Sequence, residues 1–248
     1  MRAVGFVFLA SLSIVAAAAD MKVIGDQVIV SGKIDNEELA QFHDVASQYG
    51  SQVTTVVLRN LVPGGNFYES ARMAADYIRE RGWRTAVSGL CSGACAIIYM
   101  GGVSRHFTDD YATGVTRIGF TGWYFTETTF YRGYGKGNYN PQGAYVARSW
   151  VKRSTDGKIS DRLLDEFMPL EWSEGKDIRI YFFDSNRLRR PDGASVFICD
   201  VKIPTQEKID NCAKPQTDAY REGVATSGTI IRSNDRPARK PAGPSTTQ

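Results

Sequence analysis

The chain has 248 residues, 42% hydrophobic, 23% charged and 11% aromatic, which excludes disorder, a collagen-like repeat and a bare coiled coil. Thirty basic against 27 acidic side chains leave a net charge of +3. Arg2, together with Arg232, Arg236, Arg239 and Lys240 set against Asp235, puts that excess at the two ends; the body carries about −1 and gives no argument for nucleic acid.

Residues 1–19 read as a secretory leader, with Arg2 as a positive start, an apolar run over 4–15 and small residues over 16–19 before Asp20. The run is shorter than the roughly 20 residues of a spanning helix. The expectation is a periplasmic or secreted protein, mature from Asp20, with an uncleaved membrane anchor as the competing reading. Residues 27–34 alternate like a strand, and Asp35 with Glu38 looks like a capping box before Leu39, Phe42, Val45 and Ala46 at helical spacing. His43 falls beside that stripe as a surface residue. The β-branched run 53–58 predicts a strand buried on both faces. Asn66 and Glu69 repeat the cap; Phe67, Ala71, Ala74, Ala75 and Ile78 make a helix face that ends at Gly82. A strand from Thr85, a small apolar helix over 94–100 and a strand over 115–120 follow. This alternation is the α/β signature, with right-handed crossovers expected.

Beyond Phe120 the pattern loosens, and residues 120–139 hold eight aromatics among glycines. Trp123, Tyr124, Phe125, Phe130, Tyr131 and Tyr134 either line a groove for a ligand or pack as an excursion from the sheet. Helices are expected over 144–152 and 161–167, strands over 178–183 and 195–202. From residue 227 the chain is polar, basic and proline-rich, and reads as a disordered tail. One domain over 20–226 follows, with no internal repeat.

Four cysteines fall as Cys91/Cys95 and Cys199/Cys212, and three connectivities are open. A Cys199–Cys212 clasp is the favoured bond; Cys91–Cys95 depends on local geometry. With only His43 and His106 as histidines, a metal at the C-x-x-x-C pair is not expected, nor is any cofactor. Two glycine-containing junctions carry the candidate chemistry. Gly64-Gly65 follows a buried strand, and Cys91-Ser92-Gly93-Ala94-Cys95 joins strand to helix. Bare amides at Gly64, Gly65, Gly93 and Ala94 would suit an oxyanion or a ligand backbone, although either junction also reads as an ordinary tight turn.

Pro63-Gly64-Gly65, the Cys91–Cys95 motif, Gly101-Gly102, Arg105 and Ile118-Gly119-Phe120 together resemble the Clp protease/crotonase-like superfamily, nearest its exported Clp-protease-like bacterial branch. The likeness spans residues 27–123, under half the chain. It implies a spiral of β-β-α turns, self-association into a homo-oligomer, and either Ser-His-Asp peptide hydrolysis or enolate stabilisation on acyl-CoA. A CoA-dependent reaction fits an exported protein poorly. The branch's pattern is Cys-x-Ser-Ala-Cys followed by Gly-Phe-His. Gly93 stands at the nucleophile position and Thr121 at the base position, and neither side chain can do that chemistry. The resemblance therefore implies a degenerate catalytic site that binds a peptide or protein partner. The alternative is a serine hydrolase using Ser92 with a non-standard base, such as His106 or a distant lysine; Ser92 otherwise reads as a helix cap. Asp161, Asp165 and Glu166 read as a solvated helix face, and Arg105 as a structural salt-bridge partner.

Overall fold

The computed structural model describes residues 19–33, 38–62, 68–111, 115–121, 141–167, 180–184, 196–199, 219, 221–226 and 231–235. The elements run β1 (Asp20–Ile24), β2 (Gln27–Lys33), α1 (Glu38–Tyr49), β3 (Thr55–Val62), α2 (Tyr68–Glu80), β4 (Arg84–Ser92), α3 (Ala94–Met100), β5 (Arg105–Phe107), β6 (Arg117–Thr121), α4 (Pro141–Ser154), α5 (Asp161–Phe167), β7 (Ile180–Asp184) and β8 (Val196–Cys199). The fold is mixed α/β, as the alternation predicts. One eight-stranded sheet has the order β1-β2-β3-β4-β6-β7-β8. Strands β2, β3, β4 and β6 are parallel, and β1, β7 and β8 add antiparallel edges. Among the described residues the β-β-α order occurs twice, in β1-β2-α1 and β5-β6-α4; β3-α2 and β4-α3 are single β-α steps.

Strand β4 organises the molecule. One side pairs with β3 along its length. The other side pairs with β5 over Thr85–Val87 and then with β6 over Leu90–Ser92. Strand β5 has no signal in the sequence because three residues carry too little periodicity to read. Of the run 53–58, Thr55–Leu58 lie in β3 and are buried on both faces, while Thr54, just before the strand, is exposed. On one face Val28, Val30, Val56, Leu58, Val87 and Cys91 pack under α1–α3 through Phe42, Ala71, Ala74, Ile78 and Ile98. Small residues on α2 let α3 come close: a Cβ on Gly101 would lie 2.3 Å from the Ala75 carbonyl oxygen. The other face carries the smaller cluster Ile29, Val57 and Ala86, with Ile24 and Ile231 against it.

Ile231 lies in the stretch expected to be a disordered tail, and for residues 231–235 that expectation is corrected. The Ile231 amide donates to the Phe107 carbonyl at 3.2 Å, and a parallel bridge joins Thr108 to Ile231. Gln27 clamps the segment from both ends of its amide, donating to Arg232 O and accepting from Asn234 N, each at 2.8 Å. Burial follows a period of two: Ser233 is buried, Ile231 and Asp235 half-buried, and Arg232 and Asn234 exposed. A strap of this kind is polar in composition, which hides it from a reading based on composition.

Arg105 is also corrected. It is 2% exposed, and its guanidinium donates to three carbonyls, Gly102 O and Gly223 O at 2.8 Å and Val224 O at 2.9 Å. Desolvation on burial pushes its pKa down to about 10. It fastens residues 223–226 onto β5, where Thr226 N donates to Arg105 O.

Candidate functional site

Parallel α/β sheets present their ligand-facing loops beyond the carboxyl ends of the strands. Here those ends are Lys33, Val62, Ser92 and Thr121. Strand β4 turns into α3 at Gly93, whose φ of 60° and ψ of −122° lie in a region that glycine enters freely and other residues only with strain. The corner is therefore a sharp elbow whose tip bears no side chain. The Gly93 amide donates to Gly119 O at 3.0 Å, and the Gly93 carbonyl accepts from Ala96 and Ile97. That bond removes the Gly93 amide from any oxyanion-binding set. Ala94 opens α3, and Ser92, 5% exposed, closes β4 opposite Gly119.

A disulfide joins Cys91 to Cys95 across this elbow, with Cα atoms 5.3 Å apart. Of the two expected bonds, Cys91–Cys95 is the one that the described residues contain: strand end and first helical turn bring the two residues within bridging distance. Both sulfurs are consumed, which leaves no thiolate there for a metal. Cys199 ends β8, while Cys212 lies outside the described residues. Thr121 ends β6 two residues beyond the Ser92–Gly119 pair, so the register gathers Gly93 and Thr121 at one end of the sheet. Gly64, Gly65, Trp123, Tyr124 and Phe125 lie outside the described residues, as do Phe130, Tyr131 and Tyr134.

The chain has two histidines, and both belong to the opposite end of β4. His106 on β5 is paired with Ala86, six residues back from Ser92, which is about 20 Å along a strand. Its Nε2 lies 3.0 Å from Ser104 Oγ. His43 is exposed on α1 with its ring 4.0 Å from that of Tyr77, which meets Trp83 just before β4 begins. His106 is thereby corrected as a partner for Ser92: following the helix in sequence returns it to the start of the next strand, not to the elbow. Asp161 and Asp165 bind Arg148, and Asp161 also binds Lys152, so they tie α5 to α4. The Lys152 hydrogen bond holds the Asp161 carboxyl below its ordinary pKa.

A polar group that the sequence reading missed lies just behind the elbow. Asn60 on β3 has φ 45°, and its Oδ1 accepts from Leu90 N at 3.0 Å while Nδ2 donates to the Tyr111 hydroxyl at 2.8 Å. A Cβ on Gly89 would sit 1.9 Å from that Oδ1, so only glycine leaves room for the side chain. At this point the β3–β4 register shifts, two residues of β3 spanning three of β4. Alongside, Asp110 is fully buried; it accepts from Ser88 Oγ at 2.6 Å and pairs with Arg59 at 3.4 Å. Arg59 also donates to Ser233 Oγ and pairs with Asp235 at 3.3 Å. The available signal was Arg59 itself, a charge inside a largely apolar strand, which demands a buried partner.

No protein-family model matches the chain, and no curated protein matches it. Among solved structures it is similar to a membrane-bound stomatin-specific protease at 14% identity and a TM-score of 0.40, over 57% of this chain and 67% of that one. It is also similar to an enoyl-CoA hydratase/isomerase from Acinetobacter baumannii at 10% identity and a TM-score of 0.39, over 87% and 78% of the two chains. A third is an enoyl-CoA hydratase from Streptomyces coelicolor, at 13% identity and a TM-score of 0.29 over 47% of this chain. The chain spans about half the length of that hydratase, 53%. At such identities and TM-scores they assign no activity.

Proposed function

We propose that this is an exported, Clp/crotonase-like protein that binds an extended peptide or protein segment at the strand-end elbow and lacks serine-hydrolase chemistry. The observation that carries this reading is the Gly93 corner, sharp and without a side chain, while both histidines belong to the far end of β4. Acyl transfer by a serine needs a base within hydrogen-bond reach. An extended segment needs only backbone partners and room at the strand ends. Export is supported by the leader-like residues 1–19 and by the Cys91–Cys95 bond, because disulfides persist in oxidising compartments.

The test is intact mass of the mature protein after incubation with a fluorophosphonate serine probe, with Ser92→Ala in parallel. The expected spectrum has no adduct. An adduct that disappears in Ser92→Ala overturns the reading and establishes a serine hydrolase with an unrecognised base. Titration with a library of extended peptides, read by fluorescence anisotropy, should then give saturable binding that a Gly93→Trp variant loses.

A further inference from the structure

The strap and the elbow lie on different parts of the sheet, yet two sets of polar contacts, joined to each other through the backbone of three strand and loop positions, link them. Ser233 and Asp235 hold Arg59. Arg59 reaches Asp110, and Asp110 accepts from Ser88. Each of these three is followed in the chain by a member of a second set: Asn60 follows Arg59, Tyr111 follows Asp110, and Gly89 follows Ser88. In that second set Asn60 holds Leu90 N and the Tyr111 hydroxyl and fills the space above Gly89. Leu90 is next to Cys91, where the disulfided elbow begins.

We propose that residues 231–235 are a clasp which sets the geometry of the elbow from the opposite face of the sheet, through Arg59, Asp110 and the Asn60 side chain. The clasp is held mainly by polar contacts. Its one apolar anchor, Ile231, is only half-buried. Behind it, Asp110 Oδ1, Arg59 Nε and Thr108 Oγ1 are buried with no hydrogen-bond partner among the described residues. Unsatisfied polar atoms make a closed state costly, so this junction is balanced between held and released rather than locked. Release frees Arg59 to shift on β3, and the Asn60–Leu90 bond that pins β4 shifts with it. Strap occupancy thereby regulates the elbow. That functional consequence rests on the ligand site proposed above; the coupling itself does not.

Hydrogen exchange of the full-length mature protein tests the coupling without any ligand. A Ser233→Ala/Asp235→Asn variant should raise exchange of the Leu90 amide at least tenfold, together with that of the Ile231 amide. The matched control Asp161→Asn, which removes an ion pair between α4 and α5, should leave Leu90 unchanged. In a Tyr111→Phe background the strap substitutions should lose most of their effect on Leu90, because the side chain that relays them is no longer held. Faster exchange confined to residues 231–235 and β5, with Leu90 at its original rate, overturns the proposal. Equal acceleration throughout the sheet, α5 amides included, also overturns it, since that pattern is general destabilisation. If the double variant does not fold, Asp235→Asn alone is measured for the same pattern, with a rise at Leu90 and Ile231 of about two- to fivefold expected, Arg59 and Ser233 being left in place. A missing fluorophosphonate adduct or absent peptide binding bears on the site and not on these rates.

Discussion

The two faces of the central sheet are closed by different means. One is covered by α1, α2 and α3 through interdigitated aliphatic and aromatic side chains, with Val56, Leu58 and Ile98 fully buried. The other holds three core residues, Ile29, Val57 and Ala86, beneath a strap fixed by side-chain amides and one arginine hub. Apolar packing is non-directional and strong in sum, whereas the strap's contacts are directional and individually weak. The helical face is therefore the scaffold, and the strap face the one for which release is proposed. The elbow lies where these two regimes meet.

The largest expected break in that comparison comes from neighbouring residues on one strand. Val56→Ala, on the helical side, should leave a cavity that does not close and cost about 2–4 kcal/mol. Val57→Ala, equally buried and losing the same two methylene equivalents under the strap, should cost about 2 kcal/mol at most, because the strap can settle into the space. Urea midpoints decide this, and equal losses would mean that the faces do not differ. Next in size is the corner between them. Gly93→Ser should lower stability by about 1–3 kcal/mol, because φ 60° strains any residue with a Cβ. It should also remain unreactive to a fluorophosphonate probe, for want of a base; a gained adduct would show that the elbow still has one.

Asp235→Asn should cost only about 0.2–1 kcal/mol, in keeping with a half-exposed ion pair, and the loss should shrink in 1 M salt. A larger, salt-independent loss would move the strap into the scaffold class. The smallest effect is one of pH, away from both faces. The Lys152 hydrogen bond lowers the Asp161 pKa, so its stabilisation is present above the ordinary carboxylate value of about 4 and is lost as pH falls through the depressed one. Asp161→Asn should narrow the gap in thermal midpoint between pH 6 and pH 3; an unchanged gap would show that Asp161 does not contribute to it.

Local patterning predicted much of the scaffold. Helix α3 spans Ala94–Met100 and α5 spans Asp161–Phe167 as read from periodicity, and α1 follows its apolar stripe. Expected strands shifted by a few residues, as for β6, which runs Arg117–Thr121 rather than 115–120. The elbow was legible as a glycine at a strand-to-helix junction. Its amide partner Gly119 was not, because strand neighbours are chosen across the sheet.

What the sequence determined by itself is what acts over a few residues: helical stripes, β-branched runs and the glycine at position 93. Tertiary structure decided whatever depends on which distant segments meet. It chose Cys91–Cys95 as the described bond, carried both histidines away from Ser92, surrounded Arg105 with carbonyls and drew residues 231–235 back onto the sheet. The physical reason is common to all four. A polar or short segment carries little free-energy preference of its own, so its place is set by the partners that a folded neighbour offers, and those partners exist only after the sheet has formed.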